Sequence, residues 1–173
     1  MSLAHVEDAP PRHLSQQSFV DSALFERTFD EGMSLVEETA RYLDGRGREE
    51  SRELPRKAAL LYAGESMRVT TRLMQAASWL LIQRAVREGE IRAEDAAGER
   101  YRLGSKEICF GGLAENLDSL PRKLRDLLDR SEHLYRRIAR LEEALLQGTA
   151  SAKPAVQMQF ERLQASFGSA SAS

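Results

Sequence analysis

The residues that could carry out chemistry are few, and their spacing does not suit it. One cysteine, Cys109, and three histidines are spread over 173 residues, with no metal-ligand spacing between them. A single cysteine excludes an internal disulfide and fits a reducing cytosol. We expect Cys109 to be a small, partly buried apolar residue, because nothing near it would lower its pKa, and we expect His133 to lie on the surface.

Carboxylates and glycines give no clearer sign of an active site. Adjacent acidic residues on a helix point in different directions, so we expect three pairs to be solvated: Glu37–Glu38, Glu49–Glu50 and Glu142–Glu143. The glycine-containing segment 104–112 lacks the spacing and the strand-to-helix frame of a phosphate loop. The sequence therefore predicts a protein that is not an enzyme and that binds no metal or cofactor.

Charge and hydropathy exclude further classes of protein. Lys and Arg number 25 and Asp and Glu number 27, so the net charge of −2 does not suit a general polyanion binder. The first 15 residues lack the apolar core of a signal peptide. The apolar run Leu73–Ile82 is much shorter than the ~20 residues that a membrane span needs. We expect a soluble, cytoplasmic protein with no membrane partner.

The pattern of apolar residues predicts three long helices. The first follows a disordered lead at residues 1–14, begins near Ser15 or Ser18, and ends near Asp44. Its apolar stripe consists of Phe25, Phe29, Val36, Ala40 and Leu43. The charged connector at residues 44–51 is expected to be solvated.

The second helix is predicted to begin at Pro55 and carries three lines of apolar or small residues. Large residues stand seven apart at Leu60, Met67, Met74 and Leu81. Small residues stand seven apart at Gly64, Thr71, Ser78 and Ala85. The third line, which we assign to core packing or a dimer interface, consists of Val69, Leu73, Ala76 and Leu80. One face cannot hold all three lines, so this helix needs at least two packing partners.

Residues 88–118 look irregular, with a short helical turn near Ala93–Ala97 and a stretch at Glu107–Phe110 that could be extended. The third helix is predicted to start with Ser119 as N-cap and to stop at Gly148. Its heptad seam consists of Leu120, Leu124, Leu127, Ser131, Leu134, Ile138, Leu141 and Leu145.

These elements predict an all-α, up-down-up three-helix bundle at residues 15–147, which the surplus apolar surface favours as a homodimer. Residues 148–173 read as a flexible tail. Within the tail, Val156, Phe160, Leu163 and Phe167 form an amphipathic segment that could fold against a partner, and we single out Phe160 and Leu163 as candidate contacts.

Two polar features of the helices are candidate binding surfaces. One side of the second helix carries a strip that could dock a partner through a Trp anchor, or could be the margin of a buried Trp: Arg68, Arg72, Gln75, Trp79 and Gln83. The third helix is rich in arginine and could bind nucleic acid, but its interspersed acidic residues favour a solvated, salt-bridged face.

Three long runs resemble one known family, the alphaproteobacterial regulators of CtrA degradation, also catalogued as a domain family of unknown function. The run ESMRVTTRLMQAASWLLIQRAVREGE at 65–90 is similar to its signature stretch. FDEGMSLVEETARYLDGRGR at 29–48 and LPRKLRDLLDRSEHLYRRIARLEE at 120–143 resemble the segments on either side. The resemblance covers residues 18–146, so the expected role of the tail rests on its amphipathic pattern alone.

The resemblance implies a dimeric three-helix bundle with a disordered C-terminal tail and no catalytic residues. It implies an adaptor for the ClpXP protease, which joins a protease already primed by a response-regulator adaptor. The implied cargo consists of cell-cycle transcription factors, delivered directly or through a further adaptor that senses cyclic di-GMP. The resemblance also implies concentration at a cell pole, and it assigns no docking contact to a residue of this chain.

Overall fold

The computed structural model describes the backbone of residues 15–111 and 116–168, and the side chains of these residues except Gln16 and residues 149–168. Regular structure within these residues is helical, which confirms the all-α class for the described part of the chain. The α-helices are α1 Gln16–Val20, α2 Ala23–Asp44, α3 Arg46–Glu53, α4 Arg56–Arg87, α5 Ala93–Ala96, α6 Lys106–Cys109 and α7 Arg122–Gly168. The lead at residues 1–14 lies outside the described residues.

The first predicted helix is two helices, because the chain bends between Val20 and Ala23. Each of the two has its own serine N-cap, with Ser15 accepting a hydrogen bond at the start of α1 and Ser22 at the start of α2. The bend turns Phe19 towards the core, where its ring centroid lies 5.6 Å from that of Phe25. A continuous helix could not bury both rings in this way.

The buried face of α2 is displaced by one residue from most of the predicted stripe. Phe29 and Val36 are only half-buried and Ala40 is exposed. The buried residues are Phe25, Thr28, Gly32, Leu35, Thr39 and Tyr42. At Gly32 the absence of a side chain lets α4 approach closely. A Cβ atom added to Gly32 would lie 2.7 Å from Cδ1 of Leu80.

The charged connector after α2 was expected to be solvated, but it forms the helix α3. Gly47 is buried in this helix, and a Cβ atom there would lie 2.6 Å from the hydroxyl oxygen of Tyr62. The hydroxyl of Tyr42 donates a hydrogen bond of 2.8 Å to Glu50. Glycine therefore lets α3 fold back onto two tyrosines, while its charged side chains still reach solvent.

The predicted up-down-up order is wrong, because α4 and α7 run in the same direction. Arg72, in the middle of α4, donates to the carbonyl of Leu128 and pairs with Glu132, both near the start of α7. Farther along both, Trp79 and Glu142 line one small cavity. Helix α2 runs opposite to α4, since Glu26 near its start pairs with Arg87 at the end of α4. Helices α2, α4 and α7 all pack against one another.

The crossover at residues 88–121 makes the parallel arrangement possible, because it returns along the length of α4. The predicted turn near Ala93 is confirmed as α5, whereas the stretch at Glu107–Phe110 that could have been extended forms most of α6. Leu103 and Cys109, which are part of the crossover, are buried. The connector thus contributes to the core as well as linking two helices.

Helix α7 confirms the predicted seam but not the predicted ends. All seam residues are buried except Leu141, which is half-buried. The helix begins at Arg122, after a 3-10 turn at Leu117–Ser119, and it continues through Gly148 to Gly168. One interior glycine costs only about 1 kcal/mol relative to alanine, whereas Pro154, farther along the same helix, lacks a backbone N–H and costs about 3 kcal/mol. The flexibility of residues 148–173 stays a prediction, and residues 169–173 lie outside the described part.

No helix in the described part of the chain is both long enough and apolar enough to span a bilayer.

Candidate protein-interaction surfaces

The polar strip predicted on α4 is where the crossover binds. Arg72 is 2% exposed, and its Nε atom donates a 2.8 Å hydrogen bond to the carbonyl of Cys109. Arg68 donates to the carbonyl of Gly111 at 3.2 Å. The amide of Gly104 donates to Gln75 at 2.9 Å. These bonds join side chains of α4 to backbone groups that lie 29 to 43 residues away.

Two residues of helix α7, which sequence reasoning missed, also hold the crossover. Together with Arg68, Arg72 and Gln75 of α4 they form what we call the seat. The hydroxyl of Tyr135 donates to the carbonyl of Gly104 at 3.0 Å, and Glu142 accepts from the amide of Leu103 at 2.7 Å. Glu142 was expected to be solvated but is buried, because it accepts a main-chain hydrogen bond under the crossover. Glu142 directly follows Leu141 of the seam, and this position in the sequence gave no sign of its role.

Burial controls the titration of the groups in the seat. Burial lowers the pKa of the Arg72 guanidinium, and the nearby carboxylate of Glu132 opposes that shift. Burial likewise raises the pKa of the Cys109 thiol and of the Tyr135 hydroxyl. Cys109 is fully buried, beyond the partial burial that we expected, while the side chain of His133 is 74% exposed, as predicted. These raised pKa values do not activate Cys109 or Tyr135 as a nucleophile.

Trp79 and Gln83, the rest of the polar strip, are also buried, so the tryptophan belongs to the core. In this conformation Arg72, Trp79 and Gln83 cannot reach another protein unless the crossover moves. A docking role for the strip stays a prediction. Phe160 and Leu163 cannot be compared with their predicted role, since their side chains lie outside the described residues.

The third apolar line of α4 packs inside the chain. Val69, Leu73, Ala76 and Leu80 are all buried between α4 and its neighbours. Of the two roles assigned to this line, the structure therefore places it in the core. A dimer interface on α4 needs other residues.

The large residues that stand seven apart on α4 are exposed, and we call them the α4 stripe. Leu60 is 69% exposed, Met67 73%, Met74 63% and Leu81 51%. The stripe extends ~31 Å along the helix, at 1.5 Å per residue. An exposed apolar line of this length is unusual on a protein surface and typically marks an interaction site. The seven-residue spacing could have identified it as a separate face.

Two features shape the surface around the α4 stripe. The adjacent small-residue line lets another helix approach, since a Cβ atom at Gly64 would meet nothing within 4 Å. On the other side, a shallow apolar groove lies between α2 and α4 and includes Val36, Ala40 and Leu43. Stripe and groove together form one continuous apolar face.

The side of the protein between α2 and α7 is closed by ion pairs. Arg137 contacts Glu31 at 2.7 Å, and Glu38 is paired with both Arg130 and Lys123. The arginine-rich face of α7 is therefore salt-bridged, as the sequence favoured. Among the described residues, no cluster of three or more His, Cys, Asp or Glu side chains could hold a metal ion.

Comparison with known proteins places the chain in a family. A family model described as a protein of unknown function, DUF1465, matches residues 16–167. The chain is 54% identical to RcdA from Caulobacter crescentus CB15, whose crystal structure matches with a TM-score of 0.62. That match covers 75% of this chain and 96% of RcdA. The comparison with curated proteins found no match. The chain therefore belongs to the DUF1465 family and is an RcdA-like member of it.

Proposed function

We propose that this protein is a non-enzymatic adaptor that joins a primed ClpXP protease and delivers cell-cycle regulatory proteins for degradation. The observation that carries the proposal is the α4 stripe, because a rigid helical protein with a long exposed apolar face is built to bind another protein. The RcdA-like sequence supports the protease pathway. The described residues provide no arrangement that we could assign to catalysis.

The α4 stripe is the proposed interface between two copies of the chain. Its large residues and the adjacent small-residue line repeat every seven residues, so two copies of α4 can interlock large residues against small ones. Burying the exposed half of each large side chain contributes roughly 1 kcal/mol, or about 8 kcal/mol for two stripes. Association itself costs about 4–15 kcal/mol, so we expect the α2–α4 groove to contribute as well.

The dimer would hold its partners close together without any chemical step. The helical part docks on the primed protease, and the C-terminal segment tethers cargo, so that the cargo reaches a high local concentration at the protease. The proposed cargo consists of cell-cycle transcription factors, bound directly or through an adaptor that senses cyclic di-GMP. We place this assembly in the cytoplasm, concentrated at a cell pole.

A reconstituted degradation assay tests the adaptor role. Purified ClpXP, the response-regulator primer adaptor and a candidate cell-cycle cargo are incubated with increasing amounts of this protein. We expect the degradation rate to rise and then fall, because excess adaptor separates cargo from protease. A flat response, with a working cargo that needs no adaptor as the control, would rule the role out.

The dimer interface is tested separately with a matched pair of substitutions. Leu81→Glu places a charge on the α4 stripe, and Ile108→Glu places one on the crossover at almost the same exposure, 51% against 53%. We expect Leu81→Glu alone to give the mass of a single chain in light scattering. Equal behaviour of the two variants would refute the proposed interface.

A further inference from the structure

Two methionines occupy the centre of the α4 stripe. Met67 and Met74 stand between Leu60 and Leu81, and their side chains are 73% and 63% exposed. Met33, by contrast, is partly buried and packs against the core. The free chain thus presents two methionine side chains to solvent, seven residues or about two helical turns apart, on the surface proposed for self-association.

We propose that Met67 and Met74 are a peroxide-sensitive modification site that controls assembly of the protein. This inference rests on the proposed dimer. In the reaction, the sulfur lone pair attacks one oxygen of a peroxide, and a sulfur–oxygen bond forms as the oxygen–oxygen bond breaks. One peroxide oxygen stays on the sulfur, which loses two electrons, and the other oxygen leaves as water after proton transfer. Methionine sulfoxide is the product.

Oxidation at these positions would place a strong hydrogen-bond acceptor in an apolar seam. Two of the neighbouring hydroxyl groups are already engaged. Thr70 donates its hydroxyl proton to the carbonyl of Ser66 at 2.8 Å, and Thr71 donates to the carbonyl of Met67 at 2.9 Å. A threonine hydroxyl has one proton to donate. Each sulfoxide would therefore lose its contact with water on assembly and gain nothing comparable from these threonines.

The fold of the single chain should survive the modification. Both sulfur-bearing side chains point away from the core that α4 forms with α2 and α7, so their oxidation leaves Val69 and Leu73 in place. We therefore expect oxidation to weaken assembly of the dimer and to leave the unfolding of the single chain unchanged. Assembly also protects the site, because the dimer covers both side chains and oxidation must proceed through the free chain.

The test treats the full chain with increasing hydrogen peroxide. Peptide mass spectrometry reports the oxidation of each methionine, and analytical ultracentrifugation reports the dissociation constant. We expect Met67 and Met74 to oxidise faster than Met33, and more slowly as protein concentration rises. A dimer of two oxidised chains carries four sulfoxides, so at about tenfold each the dimer should weaken about ten-thousandfold. Methionine sulfoxide reductases acting on both epimers should restore it.

The matched control is the double variant Met67→Leu with Met74→Leu, which keeps the apolar stripe but has no sulfur to oxidise. It should dimerise and stay dimeric in peroxide, with its circular dichroism unchanged. A wild-type dimer that carries both sulfoxides and dissociates no more easily would overturn the switch and leave the dimer intact. A chain that is monomeric before any peroxide is added would refute the dimer itself, and the switch with it.

Discussion

Arg72→Met is the most direct test of how the crossover is held. The substitution keeps the apolar stem of the side chain and removes the guanidinium, which binds the carbonyls of Cys109 and Leu128 and pairs with Glu132. If these bonds fix the crossover against α4, their loss should release it locally before the rest of the chain unfolds. Stability and local opening should therefore both change.

The expected magnitude follows from what each partner loses. The buried carbonyl of Cys109 loses the donor that holds it, which costs about 1–3 kcal/mol. The carbonyl of Leu128 still accepts from Ser131, and Glu132 keeps two hydrogen bonds from Arg136. Removing a buried charge regains part of the cost. We expect a net loss of about 2 kcal/mol in the free energy of unfolding.

Urea unfolding followed by circular dichroism measures the global loss, and native-state hydrogen exchange measures local opening. The amides of Gly104 and Cys109 should exchange faster, since both are held in the crossover. Arg84→Met is the matched control on the same helix, because its 2.8 Å pair with Glu88 is half-exposed and screened by water, so its loss should change stability much less. If both variants lose the same stability and exchange alike, Arg72 does not anchor the crossover.

Three further outcomes follow from the geometry. Gly47→Ala should destabilise the chain by about 1–3 kcal/mol, because its Cβ atom would meet tyrosine atoms at 2.6–2.8 Å. Gly64→Ala, in open space on a helix, should stabilise it by about 0.5–1 kcal/mol, and thermal melts of dilute protein compare the two. Hydrogen bonds from Arg130 and Lys123 lower the pKa of Glu38 from 4.5 to about 2. That depressed pKa gives stability above pH 4.5 that is lost as pH falls towards 2, about 1 kcal/mol after solvent screening. Acid titration of Glu38→Gln should lack this loss, and an unchanged slope would contradict it.

The seam of α7 could be predicted from sequence because its signal is local. Its apolar residues alternate by four and three with one small polar exception, Ser131, whose hydroxyl bonds to a carbonyl of its own helix at 2.9 Å. No distant residue is needed to recognise which side is buried. The same locality fails for α2, where two lines of residues run side by side and periodicity favours the line with the more apolar residues.

The structure buries the other line of α2 because α4 packs at Gly32. Hydrophobic periodicity counts apolar surface, and glycine and threonine contribute little of it. Close approach depends on the opposite property, the absence of a side chain, so Gly32 is buried against Leu80 with Thr28 and Thr39 on the same face. Which helix approaches, and at which residue, is a tertiary fact that the sequence of α2 alone does not contain.

The direction of α7 was missed because the decisive contacts join side chains to backbone. Arg72 and Gln75 bind a carbonyl and an amide that any residue of the crossover would supply. Such partners leave no mark on the sequence of the crossover, so the sequence left two interpretations of the polar strip open, a docking surface or the margin of a buried Trp. In the structure, the crossover of the same chain binds to this strip. The α4 stripe has the opposite character, since its residues are apolar, evenly spaced and still exposed after the chain has folded. An apolar line that three packed helices and a long crossover all leave uncovered is the stronger sign of a second molecule.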